Sequence, residues 1–192
     1  MKRADAIEEL FSLFDKNDIV ISTTGLISRE IFEKFDSERN LYLPGSMGLV
    51  SSVGLGLALC LPDRKVVVID GDASLLMNLN SLMLIGNQLP HNLLHVVLDN
   101  GAYGSCSEEK SLSSQVSFEG LAKFFGYRYT YIVTKRHILR EIYGQISDGP
   151  ALIVVKIQLG GRRDFTRPND LSQIKDRFYR FLSLTPPERG KL

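Results

Sequence analysis

The chain alternates short apolar runs with segments of helical spacing along most of its length. Apolar runs of strand length lie near 18–22, 65–70, 93–98, 128–133 and 151–157. Segments with helix-like patterning lie near 3–14, 26–35, 47–60, 74–87, 117–125 and 135–146. Parallel strands need a long crossover connection, and a helix usually supplies it. The alternation therefore predicts an α/β fold with a doubly wound, mostly parallel sheet and helices on both faces.

Composition and charge suit one folded unit. A chain of 192 residues with 44% hydrophobic residues and a net charge of +1 has enough apolar material for one core and shows no nucleic-acid-binding stripe. We therefore expect a single domain over 1–192 and no nucleic-acid partner. The start lacks the apolar core of a signal peptide, no apolar stretch reaches membrane-spanning length, and Cys60 and Cys106 lack metal-type spacing. These features favour a cytoplasmic protein without a membrane partner.

Two of the predicted strands end in side chains that suit a divalent cation and a diphosphate. The run at 65–70 leads into Gly71-Asp72-Ala73-Ser74, and the run at 93–98 leads into Asp99-Asn100-Gly101-Ala102-Tyr103. Open α/β sheets bind ligands at the carboxyl ends of their strands. Magnesium prefers a few carboxylate or amide oxygens and keeps other positions for phosphate, which makes Asp72 and Asn100 candidate ligands. The amides of Ala73 and Ser74 would open a helix and favour an anion.

This pattern resembles the motif of thiamine diphosphate enzymes, Gly-Asp-Gly followed after roughly thirty residues by Asn-Asn. The chain departs from it at Ala73, which replaces the last glycine, and at Asp99, which replaces the first asparagine. The resemblance implies that Asp72, Asn100 and the main-chain carbonyl of Ala102 bind Mg²⁺. Further cofactor contacts are then expected at Gly71, Ala73, Ser74 and Tyr103. Ala73 fits if its φ angle stays negative.

Two upstream elements extend the resemblance. Pro44-Gly45-Ser46-Met47-Gly48 lies where the family keeps a bulky apolar wedge, and Ser22-Thr23-Thr24-Gly25 follows the first strand. By resemblance, Met47 bends the cofactor so that its 4'-amino group meets the thiazolium C2, and the Gly45 carbonyl holds the aminopyrimidine. Ser46 lies between them as a contact, and Thr24 lies near the diphosphate. Each motif alone could be a turn, a core residue or a loop, but their order and spacing together favour one cofactor site.

Within this family the chain looks most like the sulfopyruvate and phosphonopyruvate decarboxylases, over about 18–183. The resemblance implies a thiamine diphosphate-binding fold of the diphosphate-binding type and decarboxylation of a small 2-oxo acid with an acidic tail. It also implies a pyrimidine-binding, α-type partner subunit that supplies the activating glutamate, in a heterotetramer or larger assembly. The cofactor would perform the chemistry, and the protein would orient it.

The substrate and the reaction outcome stay open at this stage. Arg162, Arg163 and Arg167 are candidates for binding an acidic tail, although a solvated basic loop is the alternative. Relatives carry a Thr-Gly-Gly-Gln-like loop where this chain has Cys106-Ser107-Glu108-Glu109-Lys110, and two carboxylates there would disfavour a dianion unless Lys110 or a partner arginine compensates. The altered loop also permits a carboligase, in which an acceptor carbonyl traps the intermediate.

Two further classes of protein fit the sequence less well. A non-catalytic scaffold subunit would explain Ala73 and the acidic loop, but the joint presence of Asp72, Asn100 and Met47 argues against it. A nucleotide-binding Rossmann protein is disfavoured because no Gly-x-Gly-x-x-Gly follows the first strand. The three histidines, His91, His95 and His137, lack metal-type spacing, and we expect structural roles for them.

Overall fold

The computed structural model of the chain describes residues 1–182. Six strands in these residues form one sheet in the order β2-β1-β3-β4-β6-β5, and every neighbouring pair is parallel. The strands are β1 (Ile19–Ser22), β2 (Asn40–Tyr42), β3 (Val66–Gly71), β4 (Leu93–Asp99), β5 (Tyr129–Val133) and β6 (Ala151–Lys156). The predicted parallel α/β fold is confirmed.

Helices cover both faces of this sheet. They are α1 (Arg3–Leu13), α2 (Leu26–Phe35), α3 (Val50–Cys60), α4 (Asp72–Leu76), α5 (Asn80–Gln88), α6 (Phe118–Phe125), α7 (Arg136–Gln145) and α8 (Leu171–Phe181), with a 3-10 turn at Leu112–Gln115. Successive strand residues point to opposite faces. On β3, Val68 therefore packs into the core under α3, α5 and α6, whereas Val67 packs into the core under α1, α2 and α7.

Three details differ from the sequence prediction. β2 was not predicted, because a three-residue edge strand is too short to show a period. The helix predicted from 47 begins only at Val50, because Ser46 and Gly48 have positive φ angles of 53° and 93°. The helix predicted over 74–87 is two helices, α4 and α5, which the segment 77–79 separates.

The described helices are short. In the described range 1–182, none is long and apolar enough to cross a membrane. The predicted extent of the domain, over 1–192, reaches beyond the described residues and stays a prediction.

Two glycines of α3 give a matched test of how closely this helix packs on the sheet. A Cβ added at Gly54 would lie 2.1 Å from Cγ2 of Val68, whereas a Cβ at Gly56 would meet nothing within 4 Å. We expect Gly54→Ala to lower the free energy of unfolding by about 1–3 kcal/mol through overpacking. Gly56→Ala should instead raise it by roughly 0.5–1 kcal/mol, because alanine favours the helix. Urea unfolding of both variants measures the difference, and equal effects would contradict the close packing.

Candidate active site

A cleft of about 310 Å³ opens at the carboxyl ends of the central strands. From β1 the chain passes to β2 on one side, whereas from β3 it passes to β4 on the other side. Such a reversal of strand order is the usual ligand site of an open α/β sheet. The cleft is therefore where the fold alone would place a ligand.

Most of the residues predicted from the motifs line this cleft. They are Thr24, Met47, Gly71, Asp72, Ala73, Ser74, Asn100, Ala102 and Tyr103. Gly45 and Ser46 are not part of the lining, and a Cβ added at Gly45 would meet no atom within 4 Å. Their cofactor contacts stay predictions. The structure thus brings together four segments, which follow β1, precede α3, and follow β3 and β4.

Asp72 is the buried carboxylate of the cleft, with 2% of its surface exposed. Its Oδ2 accepts a hydrogen bond from the Ser111 hydroxyl, which lies 2.5 Å away. Burial raises the pKa of Asp72, and the nearby charge of Asp99 also raises it, whereas the hydrogen bond from Ser111 opposes this shift. Ser111 was not predicted, because only the folding-back of the loop after β4 brings it to Asp72.

The two departures from the family motif are both accommodated. Ala73 lies in helix α4, so its φ angle is negative as required. Asp99 is buried and accepts hydrogen bonds from Ser113 Oγ at 2.9 Å and Gly101 N at 3.0 Å, and it forms an ion pair with Lys156. Asp99 is absent from the cleft lining. Its role is therefore to hold the turn that presents Asn100.

The turn that carries Met47 is fixed by hydrogen bonds to neighbouring elements. Ser74 Oγ accepts from Gly48 N at 3.1 Å and lies 2.9 Å from the Thr23 hydroxyl. The Asn78 amide donates to the Gly48 carbonyl at 3.0 Å. Met47 lines the cleft and is 38% exposed, so it is not a core residue of this chain. These contacts hold an apolar side chain at the rim of the cleft.

The loop after β4 folds back over the cleft. Ala102 and Lys110 form an antiparallel bridge, and Tyr103 N donates to the Glu109 carbonyl at 2.8 Å. Glu108 forms an ion pair with Arg163. Neither Glu108 nor Glu109 lines the cleft, although Cys106 does. The acidic loop therefore does not place its carboxylates on the lining, and the predicted conflict with a dianionic substrate is reduced.

The arginines are arranged differently from the prediction. Arg167 lines the cleft, but Arg162 and Arg163 do not. Arg3 and Arg29, which were not among the predicted residues, also line it. Their positions on α1 and α2 gave no sequence signal, because helical spacing alone does not show which residues reach a cleft.

No protein-only metal cage is present in the described part of the chain. Within residues 1–182, no three His, Cys, Asp or Glu side chains are grouped so that they could hold a metal ion. A magnesium site with one carboxylate, one amide and one carbonyl would not form such a group. His91 and His137 are exposed, and His95 is buried with Nε2 3.5 Å from Asp70 Oδ2.

A family model described as "Thiamine pyrophosphate enzyme, C-terminal TPP binding domain" matches residues 31–155. The chain belongs to this family. The resemblance predicted from the motifs is thereby confirmed, and the described cleft lies in a thiamine pyrophosphate enzyme domain.

Individual relatives show how much of a larger protein such a domain represents. Phosphonopyruvate decarboxylase of Streptomyces viridochromogenes is 38% identical over 187 residues, which are 96% of this chain and 47% of that enzyme. Sulfopyruvate decarboxylase subunit beta of Methanothermobacter thermautotrophicus is 33% identical over 178 residues, which are 93% of this chain and 94% of that subunit. The chain therefore spans about half of the first relative and nearly all of the second.

A solved structure supports the fold. The thiamine diphosphate-dependent 4-hydroxybenzoylformate decarboxylase of Rhodococcus jostii RHA1 superposes with a TM-score of 0.71 at 17% identity, over 83% of this chain and 33% of that chain. At this identity the match shows the similarity of the fold alone.

The raised pKa of Asp72 predicts a pH-dependent stability difference for the metal-free chain. Because the folded-state pKa exceeds that of the unfolded chain, stability falls as the pH rises through that interval and Asp72 becomes charged. Asp72→Asn removes this charge and keeps an oxygen for Ser111. The Tm of Asp72→Asn in EDTA should exceed that of the original chain at pH 7.5, and the gap should narrow as the pH falls toward the ordinary pKa of an aspartate, where Asp72 becomes protonated.

The matched control is Asp63→Asn, since Asp63 is exposed in the turn after α3. This control should show no such pH-dependent gap. Equal pH profiles for Asp72→Asn and the original chain would show that the buried carboxylate does not lower the stability of the metal-free fold.

Proposed function

We propose that this chain binds thiamine diphosphate and Mg²⁺ in the cleft and is the diphosphate-binding subunit of a decarboxylase. The substrate would be a 2-oxo acid with an acidic tail, of the sulfopyruvate or phosphonopyruvate type. The proposal rests above all on one observation: Asp72, Asn100, Ala102 and Met47, which the family motifs single out, border one cleft. The names of the relatives support the reaction class.

The donor groups of the cleft fit a magnesium ion. Asp72 offers a carboxylate, Asn100 an amide and Ala102 a main-chain carbonyl, which are the hard oxygen ligands that Mg²⁺ accepts. Ala102 O also accepts from Gly104 N at 2.9 Å, but a carbonyl oxygen keeps a second lone pair. One carboxylate leaves most of the ion's charge for phosphate oxygens. The set therefore suits a metal that bridges the protein to a diphosphate.

The rest of the cleft fits the two ends of the cofactor. Helix α2 begins at Leu26 beside the cleft, and the start of a helix favours an anion. Leu26 N already donates to Ser105 Oγ at 3.1 Å, and the Thr24 hydroxyl donates to the Pro44 carbonyl at 3.3 Å. An anion bound here would therefore meet the amides that follow Leu26 or would replace these contacts. Ala73 and Ser74 lie in the first turn of α4, which has only five residues and contributes local N–H groups. Met47 at the rim provides the apolar surface against which a bent cofactor would rest.

When bound, thiamine diphosphate supplies the electron-accepting ring on which a 2-oxo acid can lose carbon dioxide. The residues of this chain would hold and orient it. Asp72, which accepts a hydrogen bond from Ser111, would hold the metal, and Met47, which the Gly48 turn fixes in place, would support the cofactor's rings. The predicted role of the Gly45 carbonyl is to fix the aminopyrimidine.

A partner subunit is part of the proposal. No glutamate occurs in the lining contributed by residues 1–182, so the activating glutamate would come from a pyrimidine-binding, α-type subunit. Met47, Leu49 and Met77 are 38%, 48% and 58% exposed around the same turn, and a partner would cover such apolar side chains. A relative of matching length is named subunit beta. We propose a hetero-oligomer, a heterotetramer or larger, in the cytoplasm.

Calorimetric titration tests the cofactor site. The chain is titrated with thiamine diphosphate in Mg²⁺ or in EDTA, alone and after co-expression with an α-type subunit. Mg²⁺-dependent binding that tightens in the pair supports the proposal. Release of carbon dioxide with an aldehyde product supports decarboxylation, whereas a condensed hydroxyketone would indicate a carboligase. Absence of binding in both preparations would indicate a scaffold subunit.

Removing the carboxylate tests the metal assignment. We expect Asp72→Ala to weaken Mg²⁺-dependent cofactor binding by more than about 100-fold. Mutation of a residue that only hydrogen-bonds to a metal ligand already lowers metal affinity by about 10-fold to 100-fold. Titration at fixed Mg²⁺ measures this, with Asp63→Ala as an exposed control. Retained affinity in Asp72→Ala would refute the ligand assignment.

The wedge assignment predicts a different pattern. Met47→Ala should lower kcat by about 10-fold to 100-fold, because misplacing reacting groups by about 1 Å can cost 10²-fold. Cofactor affinity should fall far less. Leu59→Ala, on the exposed far end of α3, is the control. Unchanged kcat in Met47→Ala would leave Met47 as a surface residue without a catalytic role.

A further inference from the structure

Within the described range 1–182, three arginines line the cleft, and two of them have no carboxylate partner. Arg3 Nε lies 2.7 Å from the buried Glu30 Oε2, and Arg3 Nη2 donates to the Arg162 carbonyl at 2.8 Å. Arg29 and Arg167 form no ion pair with any described residue. The guanidinium groups of these two residues are therefore available to a ligand.

Arg29 and Arg167 are also close enough to affect each other. Arg29 is half-buried on α2, one turn after Gly25. Burial lowers the pKa of Arg29, and so does the positive charge of Arg167. Two guanidinium groups that repel each other at the wall of a cleft are stabilised when an anion lies between them. Asp72 is the only carboxylate in the cleft lining formed by residues 1–182, and the metal would engage it.

The segment that carries Arg167 is anchored rather than loosely attached. The Phe165 ring is buried, with Arg162 Cζ 4.4 Å and Arg3 Cζ 5.8 Å from its centroid. Thr166 N donates to Glu33 Oε2 at 3.2 Å. These contacts fix the backbone on both residues that precede Arg167. The side chain is therefore offered to the cleft from a defined position.

The neighbouring arginines are engaged elsewhere. Arg162 pairs with Glu33 and with Asp164, whose Oδ1 lies 2.8 Å from Arg162 Nε. Arg163 pairs with Glu108 and donates to the Cys106 carbonyl at 3.0 Å. Their charges are already balanced. Of the three arginines predicted to bind an acidic tail, only Arg167 lines the cleft, and it has no ion pair with any residue in the described range 1–182.

We propose that Arg29 and Arg167 together bind the terminal sulfonate or phosphonate of the substrate and thereby set its specificity. This inference rests on the proposed function, because it assigns a subsite for the tail of that 2-oxo acid. Guanidinium groups present planar pairs of N–H donors that match the oxygens of tetrahedral oxyanions. Two such groups suit a tail with three terminal oxygens, and a neutral methyl tail gains nothing from them.

The test replaces each arginine by glutamine, singly and together, in the complex with the α-type subunit. Arg29→Gln and Arg167→Gln should each lower kcat/KM for sulfopyruvate or phosphonopyruvate by about 10-fold to 100-fold, as expected for a lost hydrogen bond to a charged group. The value for pyruvate, which lacks an acidic tail, should change by less than about twofold. Two control variants should leave both kcat/KM values unchanged. Arg163→Gln removes an arginine that is paired with Glu108 and does not line the cleft, and Arg180→Gln removes an exposed arginine on α8.

A binding experiment separates the tail from the cofactor. With thiamine diphosphate and Mg²⁺ present, calorimetry measures the affinity of 3-sulfopropanoate, an analogue without the oxo group. We expect Arg29→Gln and Arg167→Gln to weaken the analogue and to leave the Kd of thiamine diphosphate within about twofold. If both variants weaken thiamine diphosphate instead, the pair binds the cofactor's diphosphate and the inference is overturned. Equal losses for pyruvate and the acidic substrates would also overturn it.

Failure of the proposed function has a distinct signature. If the complex binds thiamine diphosphate but converts no 2-oxo acid, the decarboxylase proposal fails. Arginine-dependent binding of 3-sulfopropanoate would still support the subsite in that case. If the original chain in the complex binds no sulfonate or phosphonate analogue, the subsite is refuted whatever the activity toward pyruvate.

Discussion

Parallel pairing between β1 and β3 creates the opening on which the rest of the site depends. The chain passes from β1 to an outer strand on one side and from β3 to β4 on the other, so α2 and α4 pack against opposite faces. The ends of two central strands therefore meet without a helix between them. Thr24 follows β1, Asp72 follows β3 and Asn100 follows β4, so one topological choice places all three at a single cleft.

Hydrogen bonds of serine hydroxyl groups fix the positions of the residues around this cleft. The Ser74 hydroxyl hydrogen-bonds both to the turn before α3 and to Thr23 at the end of β1. The Ser111 hydroxyl donates to Asp72, whose charged form is disfavoured by burial, so that its pKa is raised. A buried acid without a full set of partners lowers stability, and functional sites commonly retain such groups. The Ser111 hydroxyl satisfies part of the hydrogen-bonding need of Asp72 without neutralising it. Its negative charge is therefore left for a cation.

Sequence reasoning predicted the fold class, the family and the strand-end residues of the cleft, because apolar periodicity and strand-end motifs are local signals. It failed where local signals were weak or absent. The edge strand Asn40–Tyr42 is too short for a period, and Ser111 reaches Asp72 only because a loop folds back. The sequence does not distinguish Arg29 from other arginines on helices, because the fold decides which arginines form ion pairs with carboxylates. Pairing of charges is a tertiary property, and composition does not reveal it.

The first turn of the chain is part of the cleft wall. Gln158 N donates to the Met1 carbonyl at 2.8 Å, and Arg3 reaches a carbonyl 159 positions further along. Arg3 also lies over the ring of Phe165, which anchors the segment that follows β6. A substitution at Arg3 would therefore change the wall of the ligand site. Arg3 and the segment after β6 act there as neighbouring parts of one wall, although 159 positions separate Arg3 from Arg162.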